Sequence, residues 1–131
     1  MLVVGADVGF YTLLMARPVG RAGQVVAIEP FRRNVARLRR HLKLNNVPNV
    51  RIVVGAAGAH SGTATLAPGP THTTGRVASN GAGNAIRSYR LDDIVFGGHM
   101  QLPAIVKMDI EGGSARLSLC QIRNTPSYGA A

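Results

Sequence analysis

Three groups of residues have the types and spacing to act on a ligand. Gly5-Ala6-Asp7-Val8-Gly9 is a turn bounded by glycines and carrying one acid. Glycines there let backbone N–H groups approach a bound molecule closely, with no Cβ in the way. Glu29 lies 20 residues beyond Gly9 and closes an apolar run. A carboxylate at such a place can accept hydrogen bonds from the 2′ and 3′ hydroxyls of a ribose. Asp109 and Glu111 close a later apolar run, and His72 lies in the loop Pro70-Thr-His-Thr-Thr-Gly75. These three are the candidate proton acceptors for chemistry on a hydroxyl. Each group also has a plainer reading, since glycine turns punctuate chains and acids at helix starts answer the helix dipole. Taken in order, strand, glycine turn, helix, strand and acid point to a ligand that contains a nucleoside.

The spacing narrows the ligand. A dinucleotide site uses G-x-G-x-x-G, whose middle glycine admits the pyrophosphate. Here three residues separate Gly5 from Gly9, and the central one is Asp7. A carboxylate aimed at a pyrophosphate is repelled, which counts against an NAD-binding Rossmann protein, the alternative of that class. A nucleoside bearing an ammonium and no phosphate suits an acid in the turn, and S-adenosylmethionine is such a molecule. No metal site is expected, because His41, His60, His72 and His99 show no ligand spacing. His41, between arginines on a helix, reads as a surface residue.

These residues need elements to position them. Leu2–Val4 reads as a short buried strand, Phe10–Arg17 as a helix stopped by Pro18 and Gly20, and Gln24–Glu29 as a second strand. Pro30 suits a first helical position, and from there to Leu44 an apolar stripe of Val35, Leu38 and Leu42 runs opposite the arginines. Val50–Val54 and Ala104–Asp109 are the third and fourth buried strands. This rhythm predicts an α/β fold, a Rossmann-like partial parallel sheet in the order 3-2-1-4. Gly62–Leu66 and Arg87–Leu91 are expected to form a small antiparallel insertion, with Ala67–Gly83 as a long loop and a helical turn at Asp92–Val95.

Composition bounds the setting. Fifteen Lys and Arg against six Asp and Glu give a net charge of +9, which raises a basic nucleic-acid-binding module as a rival. Arg32, Arg33, Arg37, Arg39, Arg40 and Lys43 crowd one helix, yet no aromatic residue interleaves with them for base stacking. They read as the wet face of a helix packed on the sheet, which argues against nucleic acid. The carboxylates instead cluster at strand ends and helix starts, where site chemistry is done. No apolar run approaches the ~20 residues of a membrane span, and the start is not a signal peptide. The single cysteine, Cys120, excludes an internal disulfide framework, so a reducing, cytoplasmic setting is expected.

The stretches VVGADVGFYTLLMA, VVAIEPFRRNVARLRRHLKLNN, VVGAAGAHSGTATL, RLDDIV and VKMDIEGG, in this order, resemble the FkbM-type family of class I S-adenosylmethionine-dependent methyltransferases. The resemblance implies that Gly5, Ala6, Asp7 and Gly9 line the methionine end of the cofactor, that Glu29 holds its ribose, and that Phe31 lies near its adenine. Asp109, Glu111 and Gly112 would close the site beside the sulfonium and a small-molecule acceptor, with O-methyl transfer to a small-molecule or sugar hydroxyl as the expected reaction. Two departures stand out. Val3 takes the place of an acid usual in the family, leaving Asp7 as the acid for the ammonium, and Ser114 replaces the last acid of D-x-E-G-x-E. Family members extend further at both ends. The expectation is therefore a partial cofactor-binding domain over residues 1–119 with a tail at 120–131, an inactive fragment being the alternative to a working enzyme. An edge left open on strand four invites self-association.

Overall fold

The computed structural model describes residues 1–70, 75–78 and 83–110. Strands β1 (Leu2–Val4), β2 (Val25–Glu29), β3 (Val50–Val54) and β8 (Val106–Met108) form a parallel sheet in the order β3-β2-β1-β8. β1 pairs with β2 in the register Val3 to Ala27, and with β8 in the register Val3 to Lys107. β1 and β2 are buried along their whole length, as expected of parallel strands covered on both faces.

The side chains of these strands divide the core by their period of two. Val3, Val25 and Ala27 face helices α1 (Phe10–Val19) and α2 (Arg32–Leu44), meeting Ala16, Leu38 and Leu42. Leu2, Val4, Val26 and Ile28 face the other way and meet Ile94, with Tyr89, Leu91 and Met100 around them. α2 buries Val35, Leu38 and Leu42, the stripe its sequence marks. α1 packs differently. It buries Thr12 and Ala16 and leaves Phe10 and Leu14 exposed, because small side chains let the helix axis lie close against the sheet.

After β3 the chain builds a second sheet in the order β4-β7-β5-β6, from β4 (Ala56–Ala57), β5 (Gly62–Pro68), β6 (Gly75–Ala78) and β7 (Asn84–Tyr89). β5 pairs antiparallel with β6 and β7, while β4 runs parallel to β7. A short helix α3 (Leu91–Ile94) then passes into a π-type turn, Val95–His99, and on to β8.

Several boundaries differ from the sequence expectation. The stretch read as one long loop, Ala67–Gly83, contains β6, and β5 extends to Pro68. Cross-strand pairing decides both, and the turn-rich composition of the segment hides it. The expected strand Arg87–Leu91 lies at Asn84–Tyr89, and the fourth parallel strand is shorter than Ala104–Asp109. Pro18 is accommodated inside the last turn of α1, where Gly20 ends the helix by donating its N–H to the Arg17 carbonyl. Pro30 precedes α2 rather than opening it; Phe31, in extended backbone, is the N-cap and Arg32 the first helical residue.

Candidate functional site

The chain leaves β1 towards β2 and β3 on one side, then returns to place β8 on the other. The carboxyl ends of β1 and β8 therefore flank the point where strand order reverses, the usual crevice of an open α/β sheet. The glycine turn follows β1, Glu29 ends β2, and Asp109 comes directly after β8.

The turn is a set of unusual backbone angles held from outside. Gly5 (φ 76), Asp7 (φ 49) and Gly9 (φ 101) all lie in left-handed conformations. Aspartate is among the few side chains that tolerate this region. At Gly5 a Cβ would collide with the Asp109 carbonyl, so β1 and β8 draw together only because that position is bare. At Gly9, the N-cap of α1, a Cβ would collide with Leu38 of α2. The Gly5 and Ala6 N–H groups both donate to the Ile28 carbonyl at 3.0 Å, and the Gly9 N–H donates to the Ala6 carbonyl at 2.9 Å.

Glu29 closes this arrangement. One carboxylate oxygen, Oε2, accepts the Asp7 N–H at 2.8 Å. The other, Oε1, accepts the Phe31 N–H at 3.0 Å and the Asn34 Nδ2 at 3.1 Å. The residue is 3% exposed. Burial pushes its carboxyl above the ordinary range, against the three hydrogen bonds that favour the charged form, and Asp7 nearby adds to the rise. A carboxylate offers about four acceptor positions. Three are taken, and the remaining one is on Oε2, beside the Asp7 N–H. That position fits one ribose hydroxyl; a grip on both hydroxyls requires Asn34 to yield its bond. The donor set thus fits a nucleoside at this end.

A single stripe of α2 braces the turn. Asn34, Leu38 and His41, at i, i+4 and i+7, face it at three heights. Asn34 holds Glu29, Leu38 fills the space over Gly9, and the His41 Nδ1–H donates to the Val8 carbonyl at 2.7 Å. His41, read as a surface residue among arginines, is half-buried and ties α2 to the turn. Neither Asn34 nor His41 was singled out from the sequence, though their spacing about Leu38 carries the signal.

At the β8 end, the Asp109 N–H donates to the Val4 carbonyl at 2.9 Å, and its exposed carboxylate is ion-paired with Lys107 at 2.9 Å. The Lys107 ammonium also lies 3.8 Å from the centre of the Tyr11 ring on α1. Gly5, Ala6, Asp7, Gly9, Glu29, Phe31 and Asp109 are thus gathered at one end of the sheet. His72, Glu111, Gly112, Ser114 and the tail lie outside the described residues. Val3, where the resembling family has an acid, is fully buried among apolar side chains, and the Asp7 side chain is exposed. Among the described residues, no helix is long and apolar enough to cross a membrane.

Compared with known families, the chain matches the sequence model of the methyltransferase FkbM domain over residues 4–114. No curated protein and no solved structure matches the chain.

Proposed function

Starting from the premise that this chain belongs to the FkbM methyltransferase family, we propose that it uses S-adenosylmethionine to methylate a hydroxyl group on a small molecule or sugar. The observation that carries the reading is the buried Glu29 carboxylate, bonded to the Asp7 N–H across the strand boundary and keeping one acceptor position for a ribose hydroxyl. S-adenosylmethionine supplies an electrophilic methyl group on a sulfonium. The chain's part is to orient that group and to receive a proton. Gly5 to Gly9 present close-approach backbone beside the start of α1, the Asp7 carboxylate attracts an ammonium, and Glu29 anchors the ribose.

When bound, the cofactor would give up its methyl group as the carbon–sulfur bond breaks and a carbon–oxygen bond forms, and the hydroxyl proton would pass to a base on this chain. Asp109 stands beside the turn with one carboxylate oxygen on Lys107, and Glu111 and His72 are the other acceptors proposed for that proton. The test has two steps. Titration calorimetry with S-adenosylhomocysteine reads cofactor binding, and methyl transfer from labelled S-adenosylmethionine to a panel of hydroxylated small molecules reads activity. Binding without transfer to any hydroxyl would separate the cofactor assignment from the acceptor assignment; no binding at millimolar ligand would remove both.

A further inference from the structure

The second sheet reaches the candidate site through one side chain. Phe31 follows Glu29 by two residues, and its backbone N–H donates to the same carboxylate that is assigned to the ribose. Its ring reaches the β5–β6 hairpin. A Cβ added to Gly75, the first residue of β6, would lie 2.8 Å from the tip of the Phe31 ring and 2.5 Å from the Ala67 carbonyl of β5. Gly75 pairs with Pro68 across the hairpin, so the ring abuts the hairpin where β5 ends and β6 begins. Only a residue without a side chain allows strand and ring to approach this closely.

Phe31 therefore has two attachments, its backbone to the nucleoside acid and its ring to the hairpin. A base carried on a ribose held by Glu29 extends about one sugar's width from that carboxylate, within reach of a side chain two residues on. Aromatic rings stack on bases of any identity.

We infer that the β5–β6 hairpin is the outer wall of the nucleoside pocket, with Phe31 clamped between Gly75 and Glu29 so that ligand binding and hairpin order are coupled. The inference rests on the cofactor reading above and assigns the second sheet a part in it. Phe31 is the residue that meets the base, and Gly75 is a positioning residue that acts through it.

Amide hydrogen exchange on the full chain, with and without S-adenosylhomocysteine, tests the coupling. β7 belongs to the same sheet as the hairpin and serves as the internal reference. The expected result is slowed exchange at Gly5–Gly9 and in β5 and β6, beyond any change in β7. In Phe31→Ala at saturating ligand, the turn stays protected and the hairpin loses its extra protection, while affinity falls about tenfold. Phe31→Leu, which keeps apolar bulk, separates loss of the ring from a folding defect, and should keep the fold while losing most of the affinity. Gly75→Ala should weaken ligand binding in the wild-type background and have no further effect on it in Phe31→Ala.

Protection of the turn without the hairpin in the wild type overturns the inference and leaves the cofactor reading standing. So does equal hairpin protection in wild type and Phe31→Ala. Absence of protection anywhere at millimolar ligand overturns the cofactor reading, and the inference with it.

Discussion

The Glu29 carboxylate accepts the Asp7 backbone N–H at 2.8 Å, so the acid that ends the second strand holds the turn that follows the first. The two strands are already hydrogen-bonded neighbours, and this contact carries their registration past the sheet edge into the loop. It makes Glu29 both a brace for the turn and the group proposed to hold a ribose. Substitutions there act on folding and binding together.

Glu29→Gln replaces one acceptor oxygen by an NH2 group that must face a backbone or side-chain donor. Affinity for S-adenosylhomocysteine should fall by about 1–3 kcal/mol, the range for losing a charge-assisted hydrogen bond. Titration calorimetry reads this directly. Unchanged affinity in a folded variant would leave Glu29 with its bracing part alone.

Stability should depend on pH through the same residue. Burial raises the native Glu29 carboxyl above the 4.5 of its unfolded counterpart. Between those two values the folded chain binds more protons than the unfolded one, so stability falls as pH rises through the window. The contribution is fully present below pH 4.5 and lost once the native group has ionised. Thermal melts across this range should show a downward slope in wild type that is shallower in Glu29→Gln. Identical slopes in the two proteins would assign the effect elsewhere.

Gly9→Ala meets two penalties at once. Its φ of 101 lies where an L-residue costs about 1–2 kcal/mol, and its Cβ would collide with Leu38. Overpacking of this kind adds about 1–3 kcal/mol. The melting temperature should drop by about 5 °C or more. Leu38→Ala should relieve the second penalty, so the double variant should be more stable than the sum of the single effects. Additive losses would mean that helix and turn do not touch in solution.

Among the described residues, β8 pairs on one side only, with β1. Ile105 and Leu102, just before it, are exposed, as are Phe10 and Leu14 on α1. An edge of this kind pairs readily with another chain. Sedimentation velocity should show concentration-dependent self-association, reduced in Ile105→Lys, where a charge at the edge opposes pairing. A monomer at all concentrations would show that the edge is closed to a second copy.

The parallel sheet was legible because its strands are near-continuous apolar runs, as burial on both faces requires of the central β1 and β2, and each run ends in a glycine or an acid; β3 and β8, expected to be buried, are only half-buried. Leu2–Val4, Val50–Val54 and the run closing on Glu29 kept their places for that reason. The order β3-β2-β1 also followed, since short crossovers leave few ways to arrange successive strands, whereas β8 returns to β1 only after the second sheet. The second sheet was only half legible. Gly75–Ala78 pairs with β5 through backbone bonds that need no hydrophobic pattern, so neighbouring Gly, Pro and Thr masked it.

The amino-acid order by itself determined which residues gather at the strand ends: the glycine turn, Glu29 and Asp109. Tertiary structure alone decided what holds them. Asn34, Leu38 and His41 meet the turn because α2 packs on the sheet over β2 and β3, and Gly75 meets Phe31 because the hairpin approaches the residues that follow β2. Periodicity reports which face of an element is buried, because burial is a property of each residue. It does not report which atom lies opposite, because that depends on how separate segments pack, such as His41 on Val8 and Phe31 on Gly75.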